Sequence, residues 1–108
     1  METLAFGYHL LMQTDHPAAP AVNVIAVAYS SGPTQAVIWD RRAGAWGFRP
    51  DVAAAILYSD PGEHNTRSVD RATAERAALE FTTVPLPTEE ELTEICRLAG
   101  PWRGIKRR

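Results

Sequence analysis

Residues 4–12 (LAFGYHLLM) alternate so that Leu4, Phe6, Tyr8, Leu10 and Met12 share one face, while Ala5, Gly7, His9 and Leu11 share the other. A period of two with one apolar face predicts a strand lying on a core. Residues Ala21–Tyr29 (AVNVIAVAY) are apolar on both faces apart from Asn23. A β-branched run of that kind suits an interior strand. Thr14–Pro20 (TDHPAAP) separates the two as a loop, and Ser30–Thr34 (SSGPT) is a turn.

Gln35–Tyr58 is the stretch around which the rest is arranged. It predicts strands Ala36–Asp40 and Ala45–Arg49 joined by a polar turn, then a helix opened by Pro50 with Asp51 near the positive end of its dipole. Taking Arg41–Gly44 as a four-residue loop sets Trp39 opposite Trp46 and Val37 opposite Phe48. Taking Ala43-Gly44 alone as the loop pairs Trp39 with Phe48 and Arg41 with Trp46. Both registers put Val37, Trp39, Trp46 and Phe48 on one face, and these bulky rings should supply most of the core.

Beyond the hairpin the period changes from two to that of a helix. Val52–Tyr58 is short and alanine-rich, and Ser59–Asn65 (SDPGEHN) ends it. A second helix is expected from about Val69 to Phe81, capped by Ser68 or Asp70, with Ala74, Ala77, Ala78 and Phe81 on one stripe. Thr82–Pro87 (TTVPLP) breaks it. For the third helix, start, stripe and stop agree. Thr88 and Glu91 form a capping box, Leu92, Ile95, Cys96 and Ala99 share a face, and Gly100 with Pro101 ends the run.

The fold class is therefore α+β: an antiparallel meander of three or four strands over residues 4–49, then three helices over 50–100 packed mainly on one face. Residues 1–100 form one domain, and 101–108 (PWRGIKRR) form a basic tail. At 108 residues there is no room for a second core. A net charge of −2 gives no general attraction to nucleic acid or anionic lipid, so such binding would need a local patch. The one cysteine, Cys96, excludes an internal disulfide and sits on an apolar stripe where inert thiols are found. No apolar run approaches the roughly 20 residues of a membrane helix, and Met1–His16 lacks a signal-peptide pattern. The expected location is the cytoplasm, with no membrane partner.

Candidate chemistry is sparse. Asp60, Glu63 and His64 cluster in one loop and have the right atoms for a metal-dependent hydrolase, but no second His or Cys stands at ligand spacing, and a solvated connector accounts for them. His9 and His16 are isolated, and a hydrogen-bonded structural role suits His9. Serines 30, 31, 59 and 68 occupy no nucleophile elbow, and the glycines form no phosphate-binding fingerprint. No catalytic residue, metal or cofactor is expected. Arg41 and Arg42 at the hairpin turn, with Trp46 and Arg49 after them, form the candidate binding set, because guanidinium groups grip carboxylates or phosphates. A charged turn that keeps the hairpin soluble is the plainer account. In the tail, Arg103, Lys106, Arg107 and Arg108 with Trp102 form a weak nucleic-acid signature, opposed by the acidic Glu89, Glu90, Glu91 and Glu94. These features point to a small non-catalytic protein-binding protein, either an inhibitor of one toxin or enzyme, in the manner of an immunity protein, or a regulatory adaptor. Its partner would be another protein, a second copy included. A nucleic-acid-binding protein using the turn arginines and the tail is one alternative, and a small metal-dependent hydrolase built on the 60–64 loop is another.

Overall fold

The alternation over residues 4–12 becomes β1 (Phe6–Met12), with its even-numbered side chains buried. The computed structural model describes residues 3–13, 19–29, 32–58 and 65–99. The apolar run that follows becomes β2 (Ala21–Ala28), antiparallel to β1 with Phe6 opposite Ala28 and Leu10 opposite Val24. The pairing shifts between Leu11 and Met12, where Leu11 faces Asn23 but Met12 faces Ala21, so Val22 is an extra residue in β2. Next come β3 (Ala36–Asp40) and β4 (Ala45–Phe48), with Trp39 opposite Trp46 and Val37 opposite Phe48. The hairpin thus takes the register of the four-residue loop. Asp40 Oδ1 accepts from the main-chain N–H groups of Arg42 (3.0 Å) and Ala43 (3.1 Å), and Gly44 turns the chain at φ +65°.

The sheet has five strands in the order β4-β3-β2-β1-β5, every neighbouring pair antiparallel. This exceeds the expected three or four. The additional strand, β5 (Asn65–Val69), lies on the far edge beside β1. Its sequence NTRSV shows no apolar alternation because Thr66, Arg67 and Ser68 face solvent. Backbone pairing with β1, and not a buried face, defines it.

Helix packing also differs from expectation. Helix α1 (Pro50–Leu57) follows β4 and lies on one face of the sheet, seating Ala53 on Ile25, Ala36 and Ile38. Helices α2 (Arg71–Ala78) and α3 (Glu89–Ala99) cover the other face. Both faces need a cover because β2 is apolar on both. The larger core holds Phe6, Tyr8, Val24, Val37, Trp39 and Trp46 beneath Ala74, Ala78, Leu92 and Cys96.

Helix α2 is shorter than the expected Val69–Phe81, since Val69 belongs to β5. Asp70 is its cap, accepting from Thr73 N at 2.8 Å, and Ser68 is a strand residue. The small stripe is real: Ala74, Ala77 and Ala78 are buried, and Phe81 packs on Trp46 with ring centroids 6.2 Å apart. In α3 the capping box forms reciprocally, Glu91 N to Thr88 Oγ1 at 3.1 Å and Thr88 N to Glu91 Oε1 at 2.9 Å. The buried Thr93 hydroxyl donates to Glu89 O (2.7 Å) and accepts from Leu4 N (2.9 Å), tying the start of the chain to α3. The expected stop at Gly100 and Pro101 lies outside the described residues. Among those described, no helix is long and apolar enough to cross a membrane.

Candidate functional site

The four candidate binding residues do not converge. Arg41 and Arg42 are exposed on the turn. Arg41 lies back along the sheet, donating from Nη2 to Val22 O at 3.2 Å beside the β2 bulge. Arg49 stands at the opposite end of β4, roughly 13 Å of strand from the turn, as the N-cap residue of α1. There its Nε donates to Asp51 Oδ1 at 3.4 Å, and that bond holds the Asp51 carboxyl below the usual range. Trp46 points into the core, edge-to-face with Trp39 at 5.4 Å, and donates from Nε1 to Val84 O at 3.2 Å.

That last bond defines a surface which the residue pattern did not disclose. The loop between α2 and α3 is fixed twice, by Trp46 at Val84 and by Arg71 Nη2, which donates to Leu86 O at 3.2 Å. Arg71 is itself held. Its Nε bonds Glu75 (2.8 Å), its Nη1 donates to Tyr8 Oη (3.1 Å), and Tyr8 donates to Glu89 Oε2 (2.7 Å). Burial pushes the Tyr8 phenol up to about 12, against the lowering effect of the Arg71 bond. The anchored loop and α3 enclose an open groove of about 390 Å³ floored by Trp46 and lined by Val84, Pro85, Pro87, Glu91 and Ile95. Val84 and Leu98 are 41% and 68% exposed, and Leu98 follows Ile95 on the same helical face. Glu90, Glu91 and Glu94 are exposed along α3. TTVPLP reads only as a helix breaker because its apolar residues have no regular period.

A second concavity, about 520 Å³, lies on the α1 side of the sheet, where His9, Tyr29, Tyr58 and Thr66 meet. His9 is half-buried, and burial lowers its pKa. Among the described residues the His9 imidazole has no hydrogen-bond partner.

Cys96 is fully buried and its thiol is pushed up to about 11 by burial, which leaves it unreactive near neutrality. Asp60, Glu63, His64 and His16 lie outside the described residues, as do Arg103, Lys106, Arg107 and Arg108. Among the described residues no group of three or more His, Cys, Asp or Glu could hold a metal ion. Comparison with family models, curated proteins and solved structures finds no match.

Proposed function

We propose that this chain is a small non-catalytic protein-binding protein whose partner lies along the Trp46–Ile95 groove and reaches the turn arginines. The observation that carries this reading is the groove itself: an apolar centre of Val84, Pro85 and Ile95, prolonged by Leu98 and edged by exposed glutamates of α3. An apolar centre with a polar rim is the anatomy of a protein–protein contact. The charge of both signs, Arg41 and Arg42 on the turn and Glu90, Glu91 and Glu94 on the helix, suits a partner with its own mixed charges better than a polyanion. The two anchors on the loop and the Trp39–Trp46 pair hold the surface rigid, so little ordering entropy opposes association. Arg49 is left out of the surface because it lies at the other end of β4.

The test compares proteins retained from native lysate by the wild type, by the double variant Arg41→Glu/Arg42→Glu and by Val84→Glu. All three positions are exposed, so the variants should keep the wild-type circular dichroism spectrum. A partner retained by the wild type and lost from both variants supports the reading. A second copy of the chain lost in the same way would make that partner the protein itself. Retention of an unchanged set of proteins by both variants overturns the surface assignment.

A further inference from the structure

The groove of the proposed function offers more chemistry than an apolar centre. Its α3 wall is one helical stripe, Glu91, Ile95 and Leu98 at i, i+4 and i+7, so a carboxylate stands at one end of the apolar run. The opposite wall is Val84, Pro85 and Pro87, on the loop bonded to Trp46 and Arg71. Proline rings fix φ at two of those positions, which stiffens that wall. A channel between a helix and a stiff loop takes a single protruding segment of a partner. At about 390 Å³ it has room for a few side chains.

The glutamates of α3 are not used alike. Glu89 is engaged by the sheet, its Oε2 accepting from Tyr8 Oη at 2.7 Å. Glu94 is paired with Arg97 at 2.7 Å. Glu91 gives Oε1 to the Thr88 N–H at 2.9 Å. A carboxylate accepts through both oxygens, so Glu91 can hold a cation while the cap persists. Glu90 is exposed one residue before it. Together Glu90, Glu91 and Glu94 outweigh Arg97, and the rim that α3 gives the groove is acidic. The positive end of the helix dipole accounts for glutamate in the first turn. It does not account for a glutamate lining an apolar groove.

We infer that the occupant is a basic amphipathic segment of the partner protein. A few apolar side chains seat on Trp46, Val84 and Ile95, and flanking lysine or arginine meets Glu90, Glu91 and Glu94. The inference rests on the groove being the binding surface. Apolar burial then supplies most of the affinity, while the acidic rim orients the segment and repels acidic competitors.

The test titrates the full chain with three amphipathic peptides that share the same leucines and carry lysine, glutamine or glutamate between them. Binding is read by the amide resonances of Val84, Glu91 and Ile95. The lysine peptide should shift all three saturably at about 50 mM salt, and bind at least about tenfold more tightly than the glutamate peptide. The triple variant Glu90→Gln/Glu91→Gln/Glu94→Gln keeps the capping box, because glutamine also serves there. It should weaken the lysine peptide severalfold and leave the glutamine peptide unchanged. Val84→Asn, at an exposed position, should weaken every peptide. Equal binding of the lysine and glutamate peptides overturns the inference, as does wild-type affinity of the lysine peptide in the triple variant. Self-association abolished by the triple variant would also overturn it, by making a second copy the occupant. So would tighter binding of the lysine peptide once residues 101–108 are removed, by making those residues the occupant. A lysate partner lost from Val84→Glu while no peptide binds refutes the basic segment alone and leaves the surface assigned. Peptides bound alike by wild type and Val84→Asn refute the surface itself.

Discussion

The Asn23 carboxamide completes the main-chain bonding of Trp39: its Oδ1 accepts from Trp39 N at 3.1 Å and its Nδ2 donates to Trp39 O at 3.0 Å. The same Oδ1 accepts from Val24 N at 2.8 Å. Direct β2–β3 pairing runs only from Ile25 opposite Ile38 to Val27 opposite Ala36. Beyond it the amide of a side chain stands in for a peptide, next to the bulge at Val22. Asn23→Ala should therefore cost about 2–3 kcal/mol, because it strands several half-buried donors and acceptors at once. Urea denaturation measures this, and a loss below about 0.5 kcal/mol would show that water replaces the carboxamide.

Trp39 and Trp46 face each other across the hairpin and are both buried. Truncating either to alanine should destabilise by about 3–5 kcal/mol. The double variant should cost less than the sum by roughly 0.5–1.5 kcal/mol, the share belonging to the edge-to-face contact. Unchanged melting temperatures for the single variants would mean that the face is not packed as described.

Alkaline stability follows from two buried acids. Burial raises the Tyr8 phenol from 10.0 to about 12 and the Cys96 thiol from 9.0 to about 11. Between each pair of values the unfolded chain has lost its proton while the folded chain keeps it, so unfolding becomes easier as pH rises. Stability should hold below pH 9, start to fall there through Cys96, and fall further from pH 10 to 12 through Tyr8. Cys96→Ala should flatten the first limb and Tyr8→Phe the second, measured by denaturation midpoints across pH. Identical slopes in wild type and Tyr8→Phe would place Tyr8 in water.

Much of this architecture was legible in residue pattern. Alternation located β1, a β-branched run apolar on both faces located β2, the aromatic face of the hairpin held under either register, and T-x-x-E marked the first residue of α3. What escaped notice lacked a pattern of its own. Strand β5 exists through its pairing with β1, and its exposed NTRSV gives no period. The position of α1 on the opposite face was latent in the two-sided apolarity of β2 and in the lone polar Asn23. The candidate surface was half visible. Arg41 and Arg42 are where the turn puts them, but grouping Arg49 with them ignored the length of β4. The Val84–Pro87 wall depends on bonds from Trp46 and Arg71 that join distant parts of the chain.

The affinity of the purified partner for wild type and for Leu98→Glu, each at about 50 and 200 mM salt, addresses the proposed function most directly. Leu98 is exposed, so the variant should fold normally. The expected result is a loss of at least about tenfold (about 1.4 kcal/mol) in Leu98→Glu at both salt concentrations, with a smaller effect of salt alone. Wild-type affinity in Leu98→Glu, together with a fall of about a thousandfold between the two salt concentrations, would contradict an apolar protein contact and mark a polyanion gripped by the arginines.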